Sequence, residues 1–191
     1  MGNGFKFALG CGGILIIFVL IFGGMFVKAK NNLVRMNEEV DAKYAQVDNV
    51  LKRRNDLIPN LVNSVKGMME QEQEVFGALA DARTKYSGAA TIDEKAGAAQ
   101  QVESAFGRLL AIMENYPQLK SAENVQTLMI QLEGTENRIG TERMRFNDAV
   151  RDVNLKVMRF PSSLIAKLFG FGERVYFEAA SGAENAPKVE L

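Results

Sequence analysis

Histidine is absent from this sequence, and its one cysteine, Cys11, lies inside an uncharged apolar run. These two facts remove most familiar site chemistry. Cys/His zinc sites, Ser-His-Asp and Cys-His nucleophile pairs, and the Glu-x-x-His pattern of di-iron bundles all need residues that are not there. Intrachain disulfides are excluded as well, so cysteine usage says nothing of redox compartment. No P-loop or Rossmann glycine pattern occurs in a strand-to-helix setting. Carboxylates at helical spacing, such as Glu70 and Glu74, read as a solvated face rather than an acid–base pair. No catalytic residue, metal or cofactor is therefore expected. A basic excess is also lacking. Residues 31–191 hold 20 Lys plus Arg against 23 Asp plus Glu, so no nucleic-acid partner is expected. The one basic cluster, Lys52-Arg53-Arg54, is surrounded by acidic and amide residues.

What the chain does have comes first in it. Phe7 to Val27 carry no charge, with Lys6 on one side and Lys28 and Lys30 on the other. At ~1.5 Å per residue this run matches the ~30 Å hydrocarbon core of a bilayer. Ile14 to Phe22 are apolar at every position, which leaves no polar helical face for water. A cleaved signal would have a shorter core and a small-residue cleavage site. In a lipoprotein signal the apolar core would precede Cys11, whereas here most of it follows. N-myristoylation requires Ser or Thr where Lys6 stands. The run is read as an uncleaved single span over about residues 7–27, making 1–30 a membrane anchor. Lys28, Lys30 and Arg35 against Lys6 and the terminal amine favour a cytoplasmic body. Ala8 and Gly12 have small-xxx-small spacing and are candidates for close packing between spans.

Residues 31–180 read as helix nearly throughout. Leu33, Met36, Val40, Tyr44, Val47 and Leu51 fall at 3-4 spacing, and the phase continues to Ile58, Leu61 and Val65. Pro59 would cost about 3 kcal/mol in mid-helix and little in the first turn of a new one. A break or kink is therefore expected near Asn55 to Pro59, with Gly67 as a second candidate. A second stripe runs through Met69, Phe76, Leu79, Ala82 and Tyr86. Thr91 to Glu94 form a capping box that opens a third, with Val102, Phe106, Leu109 and Met113. The fourth, from about Ser121 to Met158, carries Val125, Leu128, Leu132, Ile139, Phe146, Val150, Val153 and Val157. Pro161 stops it before a short helix from Leu164 to Phe169. Residues 181–191 are expected to be a frayed tail. Long helices with short connections predict an all-α fold, a single N-terminal transmembrane helix followed by an antiparallel four-helix up-and-down bundle. A parallel dimeric coiled coil is the alternative. Residues 164–171 suit packing on the bundle or contact with a membrane, and packing is favoured because interfacial helices carry more basic residues.

Two stripes are interrupted by charge. Arg54 takes the slot between Leu51 and Ile58; Glu136 lies between Leu132 and Ile139, with Arg143 one turn on. In an up-and-down bundle the first and fourth helices are neighbours. Arg54 and Glu136, with Asp56 and Asn137 nearby, are expected to form a polar layer that fixes register, rather than a partner groove or a catalytic site.

The same residues carry a resemblance. Arg53-Arg54-Asn55-Asp56-Leu57-Ile58-Pro59-Asn60-Leu61-Val62, Tyr116-Pro117-Gln118-Leu119-Lys120, Thr135-Glu136-Asn137-Arg138-Ile139, Phe146-Asn147, Phe160-Pro161 and Tyr176-Phe177-Glu178-Ala179 resemble the LemA family. The matches run in order from about residue 30 to 180. The resemblance implies a bacterial membrane protein with one N-terminal span, an antiparallel helical bundle and no known enzymatic activity. Through a relative linked to magnetosome membrane formation it also implies membrane organisation. Tyr44 stands where the family usually has Trp. Met68 and Gln71 stand where it often has Tyr and His, so no metal or proton chemistry is carried over.

The function expected is that of a membrane-anchored, non-enzymatic scaffold in the bacterial inner membrane, single-pass, meeting the lipid bilayer and further copies of itself as a homo-oligomer. A regulatory adaptor binding a membrane protease, chaperone or sensor is the alternative.

Overall fold

The computed structural model describes residues 3–177; side chains at 3–12, at Ile14 and Leu15, and at Lys120 are outside the described set. The frayed tail expected at 181–191 lies outside the described residues. All regular structure among them is helical: α1 (Asn3–Val65), a 3-10 turn at Lys66–Met68, α2 (Gln73–Gly88), α3 (Ile92–Met113), α4 (Pro117–Lys120), α5 (Glu123–Met158) and α6 (Ser162–Phe169). The chain is all-α with one long apolar N-terminal helix.

The helix ends follow from local chemistry. Thr91 Oγ1 accepts the Glu94 N–H at 3.1 Å, and Glu94 Oε2 accepts the Ala90 and Thr91 N–H groups at 2.8 and 3.2 Å. This is the capping box, in which each residue satisfies the other's orphan amide. The same two N–H groups hold the Glu94 carboxyl below the usual carboxylate range. Pro117 opens α4 at a position where its missing N–H is harmless. Gly170, at φ 73°, takes the left-handed turn that closes α6, and the Phe171 N–H reaches back to the Ala166 carbonyl at 2.9 Å.

One part of the Pro59 expectation fails. No break occurs at Asn55 to Pro59: α1 continues through Pro59 to Val65, and the chain turns at Gly67 instead. The reason is a substitute hydrogen bond. Pro59 has no N–H for the Asn55 carbonyl four residues back. Arg83 Nε of α2 donates to that carbonyl at 3.1 Å. The proline's lost ladder bond is thus replaced by a tertiary one.

The described residues divide into two compact units: those within 1–42 and 148–174, and those within 43–147 and 175–191. In the second unit Val47, Leu51, Ile58 and Leu61 of α1, Leu79 of α2, Val102 and Leu109 of α3, and Leu132, Ile139 and Phe146 of α5 are buried. Burying a large apolar side chain contributes about 1.5–3 kcal/mol, so this interior dominates the unit's stability. Contacts set the helix directions. Asp48 meets Tyr86 and Asn55 meets Arg83, so α1 and α2 run antiparallel. Tyr44 meets Phe146 and Arg54 meets Glu136, so α1 and α5 are antiparallel as well. Asp48 meets Lys95 and Arg54 meets the Ala99 carbonyl, so α3 runs parallel to α1.

In the first unit α1 is helical without interruption through Lys28 to Asn32, where the apolar run gives way to the amphipathic stripe. Leu33 of α1 and Ile165 and Ala166 of α6 are buried together, with Ala29, Val157 and Phe171 packed against them. The Phe169 ring lies 5.7 Å from that of Phe26 and 4.6 Å from Lys30 Nζ. Residues 164–171 therefore pack on α1 through one side. Leu164 and Leu168, on the other, stay exposed.

Candidate functional site

Among the described residues Arg54 is the largest fully buried side chain, 1% exposed. The heptad-like stripe of α1 carries it inward, and its guanidinium needs acceptors there. It finds them on two other helices. Nη1 donates to Glu136 Oε1 of α5 at 3.0 Å and Oε2 at 3.3 Å; Nη2 donates to the Ala99 carbonyl of α3 at 2.9 Å. Glu103 Oε2 lies 3.9 Å from Arg54 Nη1 and accepts from Arg143 Nη1 and Nη2 at 3.2 and 3.3 Å. Two guanidinium groups face two carboxylates, a neutral arrangement of four charges. Arg143 in turn lies 4.8 Å over the Phe177 ring, a favourable cation–π distance. Thr135, also buried, returns its hydroxyl to the Gln131 carbonyl at 2.7 Å.

Two residues expected in this layer are not in it. Asp56 and Asn137 are exposed. Each follows an inward-turned neighbour, buried Asn55 and half-buried Glu136, and a helix turns about 100° per residue, which carries them off the inward face. Glu103 was not anticipated; it follows the stripe residue Val102 and sits at the flank of the buried face. Ala8 and Gly12 are on helical backbone, but their side chains lie outside the described residues.

A second cluster adjoins the apolar interior. Asp48 accepts from Tyr86 Oη at 3.0 Å and Lys95 Nζ at 3.2 Å, and pairs with Lys52 Nζ at 2.6 Å. Burial alone would raise its carboxyl; the bonds from Lys52, Lys95 and Tyr86 outweigh that and hold it below the usual range. Burial, with the Asp48 charge behind it, pushes the Tyr44 phenol up to about 12 and raises that of Tyr86 as well.

A third feature ties down the extended segment after α6. Asn147 Nδ2 donates to the Phe177 carbonyl at 2.9 Å, and Oδ1 accepts the Phe177 N–H at 2.8 Å. Asn154 holds Arg174 in the same two-way manner, at 2.9 and 2.8 Å. Arg174 also pairs with Asp41. Sequence reasoning assigned these asparagines no role. A side chain bonding a distant extended backbone leaves no periodic signature.

The chemistry available in the layer is limited. Its carboxylates already face guanidinium groups, and among the described residues no group of three His, Cys, Asp or Glu is placed to hold a metal. Fold and site together define a helical protein with an internally paired charge layer and a first helix long and apolar enough to cross a membrane. The LemA family model matches residues 43–191, and the chain belongs to the LemA family. It is 25% identical over 191 residues to Magnetosome protein MamQ 2 of Paramagnetospirillum magneticum, covering 86% of this chain and 70% of that one. Magnetosome protein MamQ of Magnetospirillum gryphiswaldense is 25% identical over 190 residues, with the same shares. Protein LemA of Metamycoplasma hominis is 23% identical over 171 residues, 87% of this chain and 78% of its own.

Proposed function

We propose that the chain is a non-enzymatic scaffold of the bacterial cell membrane, held by residues 7–27 of α1, which self-associates and carries residues 31–180 as an up-and-down bundle on the cytoplasmic side. One observation carries the membrane half of this reading. From Ile16 to Val27 every large apolar side chain is between 37% and 69% exposed. A helix apolar all round and uncovered by protein calls for lipid around it. The scaffold half is supported by the paired charges of the Arg54 layer, which suit a register-fixing interior better than a reacting centre. The helix directions above support the up-and-down order, and the likeness to magnetosome proteins supports the membrane setting. Around Gly23 and Gly24 there is open space where a second helix would approach. Tethering raises local concentration, so weak contacts between copies suffice.

Crosslinking in native membranes tests this. A ladder of multiples of the chain's own mass is the expected result. Monomers joined in fixed ratio to an unrelated protein would replace the scaffold with an adaptor.

A further inference from the structure

The first unit leaves an apolar groove open beside the end of the uncharged run. It has a volume of about 860 Å³, within the size range of small-molecule sites. One wall is Phe22, Met25 and Phe26 of α1; the other includes Leu155, Phe160 and Leu164. These are not grazing contacts with solvent: Phe160 is 80% exposed and Leu164 61%. Exposed apolar side chains gathered in one place mark an interaction surface.

The depth of the groove decides the occupant. Phe22 lies five residues inside Val27, ~8 Å at the rise of a helix. If residues 7–27 span a bilayer, that wall stands in hydrocarbon, where acyl chains are the solvent. Phe169, against Phe26 and Lys30, keeps α6 at the level where the run ends. Charge points the same way. Lys156 and Arg159 also line the groove. An adjoining groove of about 690 Å³ shares Met25, Ala29, Lys156 and Ser162 with it and adds Lys28 and Arg35. The one carboxylate lining either, Asp152, is 3.8 Å from Arg151 Nε. Long basic side chains lay their stems on apolar surface and extend the charge outward, as a headgroup phosphate requires.

We propose that this groove holds an acyl chain of an anionic phospholipid, from the leaflet in which the span ends, with its phosphate met by Lys28, Lys156 and Arg159. The inference rests on the membrane reading of residues 7–27 and adds a lipid site to it.

The test uses the full chain in nanodiscs of phosphatidylglycerol bearing a photoactivatable group in the acyl chain, with labelled residues mapped by mass spectrometry. Labels are expected on residues 152–165 as well as on 7–27. Leu164→Ser should reduce labelling of 152–165 roughly tenfold, the change that loss of one large apolar contact gives, while labelling of 7–27 stays constant. Lys156→Glu with Arg159→Glu should weaken labelling of 152–165 by phosphatidylglycerol, but not by phosphatidylcholine with the same chain. Labels confined to 7–27 would overturn the lipid site and leave the anchor standing. Labels on neither segment would overturn the anchor, and the site with it. Crosslinks from 152–165 to a second copy would make the groove a protein interface and end the proposal, and so would equal labelling of 152–165 in the Leu164→Ser variant.

Discussion

The two compact units solve opposite problems. In the second, charge is inside: Arg54 is buried and surrounded by Glu136, Glu103 and the Ala99 carbonyl. In the first, apolar surface is outside: Ile16 to Val27, Phe160, Leu164 and Leu168 stay exposed. Each departs from the rule of apolar interior and polar surface. The buried charge has its partners within the unit, whereas the exposed apolar surface finds none there. That difference separates a feature that serves the fold from one that addresses the surroundings.

The largest expected effect removes the outward-facing half. Deleting residues 1–30 should move the protein from the detergent-requiring fraction to the soluble one, with its helical circular dichroism signal kept. Full-length protein that stays soluble without detergent would erase the contrast, and a random-coil spectrum for the fragment would show that the rest does not fold without the run.

The next effect breaks the inward-facing half. Arg54→Ala should destabilise the protein by ~3–5 kcal/mol, the cost of leaving buried charge partners unmatched. Unfolding of the full chain in detergent measures it. Glu136→Gln should cost less, because that side chain is 32% exposed and water replaces part of what it gives. The two changes should be strongly non-additive; simple additivity would mean the pair contributes nothing jointly.

A smaller effect sharpens the account of what seals the interior. Arg83→Met should cost about 1–3 kcal/mol by stranding the Asn55 carbonyl. Adding Pro59→Ala supplies an N–H to that carbonyl and should recover much of the loss. If Pro59→Ala gives the same change in both backgrounds, Arg83 is not compensating for the proline.

The smallest concerns Asp48. Its carboxyl titrates below the ordinary 3.8 in the folded protein. Its contribution to stability is therefore present above that value and is lost as pH falls through the lowered one. Wild type should be more stable than Asp48→Asn near neutrality, with the gap closing in acid. A gap independent of pH would show that the charge of Asp48 is irrelevant to the cluster.

Much of this was legible in the sequence, for identifiable reasons. The uncharged run, the stripes from Leu33 to Val65 and from Val125 to Val157, and the Thr91 capping box are local patterns, and they yield the helices directly. The inward placement of Arg54 and Glu136 could be read because each interrupts an apolar phase. Asp56 and Asn137 were drawn into the layer by sequence adjacency, which helical rotation overrules. Glu103, Arg83, Asn147 and Asn154 were beyond reach because their partners are distant and are backbone atoms or flanking side chains. The groove escaped for a different reason. Residues 164–171 suit packing or membrane contact by composition alone, and only the fold decides that Leu164, with Phe160 before it, stays uncovered.

Pro59 shows that a helix can be continuous on condition. Without α2 beside it, the Asn55 carbonyl has no donor, and residues 55–59 have every reason to kink. An isolated peptide of α1 would show the break that the sequence suggests; the assembled unit does not, because Arg83 arrives. The missing hydrogen of one residue thus serves as an address label. It leaves a vacant acceptor at one point on α1 and so tells α2 where to dock. An unbroken α1 at Pro59 is therefore a report that α2 is in place, and its fraying there would be an early sign of the two helices coming apart.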